Sequence, residues 1–438
     1  MVYQYGIPMI IPAPRATPRL GSRPWVMLAL GVGAQAAGTV LISTPAFLIP
    51  FLHTERGLDL AAAGLLSSAP TIGMVLTLVV WGALADRIGE RFVIGGGTVL
   101  AGLAAAGAAT ASPTASGSSL RGYLVLGCFF LLAGMASASA NAASGRLVVG
   151  WFPKNRRGLA MGIRQMSQPL GVAIAAIAIP SLVSAGGIAA AMAFSAAFCG
   201  ILGLVCVVFL RDPERPAPVI VGTRTENPYV GRGLLWRLHG VSALLVVPQF
   251  TLSTFGLVWL ITEQTLTAAA AGLVVGAAQF VGALGRIAAG VLSDRVGSRM
   301  RPLRWVAIAA VTVMVLLALL GQIGWPVAVA LLIVATTVSV ADNGLAFTAV
   351  AEIAGPRWSG RALGIQNTGQ FIAASAVGPA AGALIGVVGY PITFLAAAVC
   401  ALIAVPLVPG RPATRKTEAN RPNQSNQSNQ SNQTGSAE

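Results

Sequence analysis

Long runs of apolar residues alternate with short polar breaks along almost the whole chain. A helix needs about 20 mostly apolar residues to cross the hydrocarbon layer of a bilayer. Twelve such runs are present: roughly 25–52, 60–84, 92–112, 120–149, 159–183 and 187–210, then 236–261, 267–292, 303–322, 326–351, 359–386 and 390–409. The runs at 92–112 and 187–210 carry almost no polar atoms and are expected to face lipid. Those at 25–52, 120–149, 236–261 and 326–351 contain scattered Gln, Asn, Ser, Thr and Asp, and are expected to face something else. The pattern predicts an all-α membrane protein of twelve transmembrane helices.

Three segments do not fit a span. Residues 1–24 hold Pro12, Pro14, Pro18 and Pro24 and lack an apolar core of signal-peptide length, so they read as an N-terminal tail. Residues 211–235 are polar, with Arg and Pro, and divide the chain into blocks 25–210 and 236–409. Residues 410–438 end in an Asn-Gln-Ser repeat and read as a disordered tail.

Composition agrees. The 438 residues are 55% hydrophobic and 9% charged, with a mean hydropathy of +0.77; soluble domains carry about 25% charge. The 52 glycines follow no three-residue period, which excludes a collagen. Cys128, Cys199, Cys206 and Cys400 have no metal-ligand spacing and read as small buried hydrophobes. His53 and His239 lie far apart at span ends, and no nucleophile triad or Walker sequence is present. No enzyme activity, cofactor or metal is expected.

The net charge of +15 would point to nucleic acid in a soluble protein, so its placement decides. If both termini share one side, 23 Lys and Arg fall on that side and only Arg56 and Arg121 on the other. Arg146, Arg164 and Arg286 lie within or at the ends of spans. Cationic loops face the cytoplasm, so both termini are expected there, in the cytoplasmic membrane. The basic charge is an orientation signal spread over seven segments, and no nucleic-acid partner is expected.

The two blocks repeat. Gly82-x-Leu84-x-Asp86-Arg87-x-Gly89-x-Arg91 matches Gly290-x-Leu292-x-Asp294-Arg295-x-Gly297-x-Arg299 at an offset of 208. Gly158, Ala160, Gly162 and Ile163 match Gly360, Ala362, Gly364 and Ile365 at an offset of 202, which also pairs Asn141 with Asn343. Two parallel six-helix halves imply a pseudo-two-fold axis along the membrane normal, with a site between them. The loop after span 2, its weaker copy after span 8 and Trp151-Phe152-Pro153-Lys154-Asn155-Arg156-Arg157-Gly158 resemble the signatures of the major facilitator superfamily over about residues 25–410. The resemblance implies two pseudo-symmetric bundles, alternating access, and a cavity lined by spans 1, 4, 7 and 10. It also implies that the repeated loop is a latch between the halves in the outward-open state. In that reading Gly82 and Gly290 admit a neighbouring helix closely, Asp86 and Asp294 face a helix N-terminus and a nearby Arg, and the arginines supply partners.

A charge at the bilayer centre costs roughly 3 kcal/mol or more, so each needs a reason. Asp342 lies ten residues before Glu352, about 15 Å from the end of span 10. It could carry a proton, bind a cationic group, or pair structurally with an Arg. Arg286 lies about 12 Å into span 8, and Arg164 at similar depth in span 5. Two guanidiniums could clamp a carboxylate; alternatively Arg164 snorkels to the surface and Arg286 pairs with Asp342. The position of Arg286, four residues before the loop glycine, resembles monocarboxylate and oxalate carriers. Gln35, Asn141, Gln249 and Asn343 place one amide at middle depth in each of spans 1, 4, 7 and 10. Gln165 with Gln168, and Asn367 with Gln370, form i,i+3 pairs in spans 5 and 11. Pro169, Pro180 and Gly378-Pro379 interrupt spans and free backbone carbonyls. Span 5 lacks the Gly-Pro-x-x-Gly-Gly of drug/proton antiporters.

The sequence therefore favours a monomeric, proton-coupled secondary transporter of a small polar solute, with an organic anion ahead. A drug or metabolite exporter is the alternative, and a transporter-like receptor or scaffold the third reading.

Overall fold

Glycine and proline decide where each apolar run stops being a single helix. In the computed structural model, which describes residues 21–111, 120–153, 156–213, 227–230, 233–355 and 358–410, ten continuous helical stretches are long and apolar enough to cross a membrane. Two of them hide a turn. Ser167–Phe209 breaks at Gly186 and Gly187 (φ +66°), and Ser359–Leu407 breaks at Gly389 (φ +80°). Positive φ is open to glycine and strained for other residues. Each break falls between two predicted spans, so twelve segments cross.

Span 1 is Ser22–Phe47 continued by Ile49–Thr54; spans 2, 3 and 4 are Leu60–Ile88, Glu90–Thr110 and Leu120–Trp151. Span 5 begins as Arg157–Gln165, steps at Met166, and continues into Ser167–Phe209, whose second part is span 6. Spans 7 to 10 are Leu234–Thr262, Ala268–Val296, Met300–Leu320 and Trp325–Ala354; Ser359–Leu407 supplies spans 11 and 12. The repeat reaches the caps. Asp59 accepts from the Ala62 amide at 2.8 Å to open span 2, and Thr267, offset by 208, accepts from Ala270 at 3.3 Å to open span 8. Each side chain satisfies an N–H left free in a first helical turn.

Lipid tails are as apolar as leucine, so helices in a bilayer associate where small residues let backbones approach. Within the first half, a methyl on Gly73 would collide with the Leu131 carbonyl, and one on Gly134 with the Pro70 carbonyl. The same device joins the halves. Gly64 of span 2 lies against Gly378 of span 11, Gly382 against Leu60, and Gly272 of span 8 against the Ala176 carbonyl of span 5. These contacts all lie toward the end of the molecule away from the termini.

The apolar clusters follow suit. At that closed end one cluster runs through both halves, from Leu52, Leu60 and Ala63 to Trp259, Ala381 and Phe394. Trp259 and Phe394 meet edge to face, 5.5 Å between centroids. At the end bearing the termini, two clusters belong to one half each, Leu235, Leu303 and Ala404 in one and Met27, Val93 and Leu147 in another, while near middle depth a small cluster of Met74, Leu78, Ala138 and Phe371 still bridges the halves. There a methyl on Gly82, Gly290, Gly162, Gly360 or Gly364 would meet nothing within 4 Å. The halves are packed at one end and parted at the other.

Spans 3 and 6, expected to face lipid, do so with one side only. Leu100, Leu103, Ile201 and Leu204 are exposed, while Gly95 and Gly102 pack against Val207 and Gly200. Two of the four cysteines correct the expectation of burial: Cys199 and Cys206 are buried, but Cys128 is exposed and Cys400 half-buried. A thiol is apolar enough to sit on a lipid-facing surface.

Candidate solute site

Pro169 has no N–H to give the carbonyl four residues back, and its ring crowds that position. Span 5 therefore steps at Met166, whose amide bonds to Ile163 at 3.1 Å, and the Gln165 carbonyl is left without a helical partner. Arg286 of span 8, in the other half, takes it: Nη1 donates to Gln165 O at 3.4 Å and Nε to Val340 O at 3.2 Å. Arg164 reaches the same residue from its own side, Nη1 donating to Gln165 Oε1 at 3.2 Å. The two guanidiniums thus meet at one residue, one on its backbone and one on its side chain.

They face a cavity of about 170 Å³ between the halves, room for on the order of a dozen waters. Spans 1, 2, 4 and 5 line it from one half, and spans 7, 8, 10 and 11 from the other. Gln35, Asn141, Arg164, Gln249, Arg286 and Asn343 all contribute, as do Gln165, Gln168, Asn367 and Gln370.

The amides form two groups, one in each half. In the first half Arg164 Nε donates to Ser144 Oγ (2.8 Å), which donates to Gln35 Oε1 (3.0 Å), while Arg164 Nη2 donates to the Asn141 carbonyl (3.2 Å). In the second half Gln370 Nε2 donates to Asn343 Oδ1 (3.0 Å), and Asn343 Nδ2 to Gln249 Oε1 (3.1 Å). The offset of 202 pairs Arg164 with Gln366. Gln366 is buried, accepts from His239 Nδ1 at 2.5 Å and donates to Ser242 Oγ. A neutral network thus occupies the position that a cation holds in the other half.

Asp342 stands apart. It is 1% exposed, does not line the cavity, and among the described residues no side chain reaches hydrogen-bonding distance of either carboxylate oxygen. Arg286 acts on it electrostatically, but spends its hydrogen bonds on carbonyls.

The repeated loops are held within their own halves. Gly89 has φ +95°, and the Asp212 carboxylate fills the space where a side chain would start. Asp212 accepts from the Arg91 amide at 2.7 Å, and Arg91 Nε donates to the Val207 carbonyl at 2.6 Å. Arg146 donates to the Gly82 carbonyl at 2.9 Å and lies 3.8 Å from Glu90. In the second copy Arg299 pairs with Asp294 at 2.6 Å and Glu352 at 3.2 Å, and Gly297 (φ +61°) ends span 8. Arg87 and Arg295 are exposed. The Asp86 side chain, Lys154, Asn155 and most of the two tails and the central loop lie outside the described residues. Sequence reading passed over Asp212, Glu90 and Gln366. Only Glu90 carried a signal, lying between two residues of the repeated loop.

A helical membrane protein of paired six-span halves around a polar cavity is a carrier of the secondary-transporter class. The chain belongs to the Major Facilitator Superfamily, whose family model matches residues 28–378. It is 44% identical over 388 residues, 88% of this chain and 85% of the other, to an "Uncharacterized MFS-type transporter" of Mycobacterium tuberculosis H37Rv. It is 30% identical over 162 residues, 37% of this chain and 28% of the other, to "Probable anion transporter 4, chloroplastic" of Arabidopsis thaliana. The fold is similar to the crystal structure of a bacterial homolog of the human lysosomal transporter Spinster in an inward-facing, occupied conformation. That likeness has a TM-score of 0.73 at 14% identity and covers 89% of this chain and 96% of the other. The family is one of transporters, not enzymes.

Proposed function

We propose that this transporter carries a small organic anion across the cytoplasmic membrane by alternating access, with both termini in the cytoplasm. The observation that carries this reading is the pair Arg164 and Arg286. One guanidinium from each half faces the shared cavity, and among the described residues no carboxylate lines it. Planar, permanently charged guanidiniums match carboxylate geometry in two-point contact. An anion seated between them replaces carbonyl acceptors by a charged one. The contact of Arg286 with Gln165 crosses the halves, so solute binding there bears directly on how they sit together. One chain holds the whole cavity, so a monomer suffices.

Asp342 is the candidate proton carrier. It is buried one residue from Asn343 and is coupled to Arg286 by charge alone. With the termini cytoplasmic, the parted end opens inward, and the repeated loops close in the opposite state through Asp86, Arg87, Asp294 and Arg295. The alternative of an apolar drug cavity sits badly with a lining of nine carboxamides and eight hydroxyls.

Proteoliposomes containing the full chain test the proposal. Uptake of an organic anion should rise with an imposed pH gradient, and Arg286→Gln should abolish it. Flux of neutral drugs but of no anion would overturn the anion reading, and flux of nothing would favour a scaffold.

A further inference from the structure

Much of the cavity wall is uncommitted. Gln168 of span 5, Gln279 of span 8 and Asn367 of span 11 line it, and among the described residues their side chains bond to no other protein group. Ser253 and Thr254 of span 7 and Thr71 of span 2 add hydroxyls to the same wall. Free polar groups therefore stand on both halves, around two guanidiniums.

The chemistry of a carboxamide limits what can satisfy it. It brings two N–H donors and an oxygen with two lone pairs. A bare anion only accepts, so it can answer the arginines and the amide N–H groups but leaves the amide oxygens without donors. Once the halves close and water is reduced, each unmet oxygen weakens binding. An apolar body behind the anion would be worse, because it strips water from the amides and returns nothing. A hydroxyl both donates and accepts.

We infer that the carried anion is a small polyhydroxylated carboxylate of the aldonate or uronate type. Its carboxylate lies toward Arg164 and Arg286, and its hydroxyls bridge Gln168 on one half to Gln279 and Asn367 on the other. The inference rests on the anion reading proposed above and adds the hydroxyls to it. A solute whose hydroxyls also bond both walls couples the halves at more points than a one-headed anion held only at the arginines.

Isothermal titration of the full-length protein in detergent tests this with four probes: gluconate, galacturonate, hexanoate and the neutral polyol glucitol. At least one of the two sugar acids should bind about tenfold or more tighter than hexanoate, because a site built to bond hydroxyls rejects the analogue without them. Gln279→Leu and Asn367→Leu should each weaken that sugar acid by about fivefold, the range of one neutral hydrogen bond, and leave hexanoate unchanged. Thermal unfolding of the two variants checks that they fold, and the ratio of sugar-acid to hexanoate affinity, set against that of the parent, separates a lost hydroxyl contact from a general loss of binding. Hexanoate binding as tightly as both sugar acids would overturn the hydroxyl inference and leave the anion reading standing. Glucitol binding as tightly as gluconate would overturn the anion reading itself. Failure of both sugar acids to bind overturns the inference whatever the other probes do.

Discussion

At Gln165 a backbone oxygen and a side-chain oxygen of one residue receive guanidiniums from opposite halves. A hydrogen bond to a charged group contributes about 1.5–3 kcal/mol net, so removing the charge of Arg286 should weaken anion binding roughly ten- to a hundredfold. Titration of Arg286→Gln measures this. Asp342→Asn removes a buried carboxylate beside the site. Transport should persist with its pH dependence flattened, as read from uptake rates between pH 5.5 and 8 at fixed membrane potential; an unaltered profile would assign proton coupling elsewhere. Residue depth was legible in advance, because a helix rises about 1.5 Å per residue. Direction was not. Asn343 lines the cavity while Asp342, one residue and about 100° around the helix from it, does not, and only the neighbouring spans decide which points inward.

Spans were read well from the chain because a bilayer demands one apolar length and punishes unsatisfied backbone. Turns at Gly187 and Gly389 fell where the apolar runs were divided. The packing of one span on another was less readable: a glycine against a carbonyl looks, in sequence, like a glycine against lipid. The junction of spans 2 and 3 shows what such contacts hold. Gly89→Ala must take φ near +95° and meet the Asp212 carboxylate, and a backbone of that kind costs about 1–3 kcal/mol. Asp212→Ala loses the cap on the Arg91 amide, about 1 kcal/mol. Both should lower the unfolding temperature in detergent, with Gly89→Ala the more damaging; the reverse order would mean that the cap outweighs the turn.

On the scale of the whole molecule, the sequence repeat foretold two halves but not which conformation they adopt. Equal halves can meet at either end, and the choice here lies in glycine contacts between spans 2 and 11 and between spans 5 and 8. Gly378→Ala puts a methyl into the Gly64 carbonyl, so the closed end should part. Spin labels at the closed end of spans 2 and 11 should then report a longer distance, and distances within each half should stay unchanged. The repeat also left the charges unpaired: Arg164 stands opposite Gln366, and Arg286 opposite Leu78. Symmetry thus builds the cavity, and departures from it set its sign.

Pro169 makes span 5 offer main chain rather than side chain to the arginine opposite. Replacing the side chain at 165 never touches that acceptor, since the residue keeps its carbonyl whatever it becomes. The change that removes it lies one turn away. Pro169→Ala restores an amide that can reclaim the oxygen, so this substitution, conservative in size and neutral in charge, should set Arg286 loose and shorten the lifetime of the present conformation.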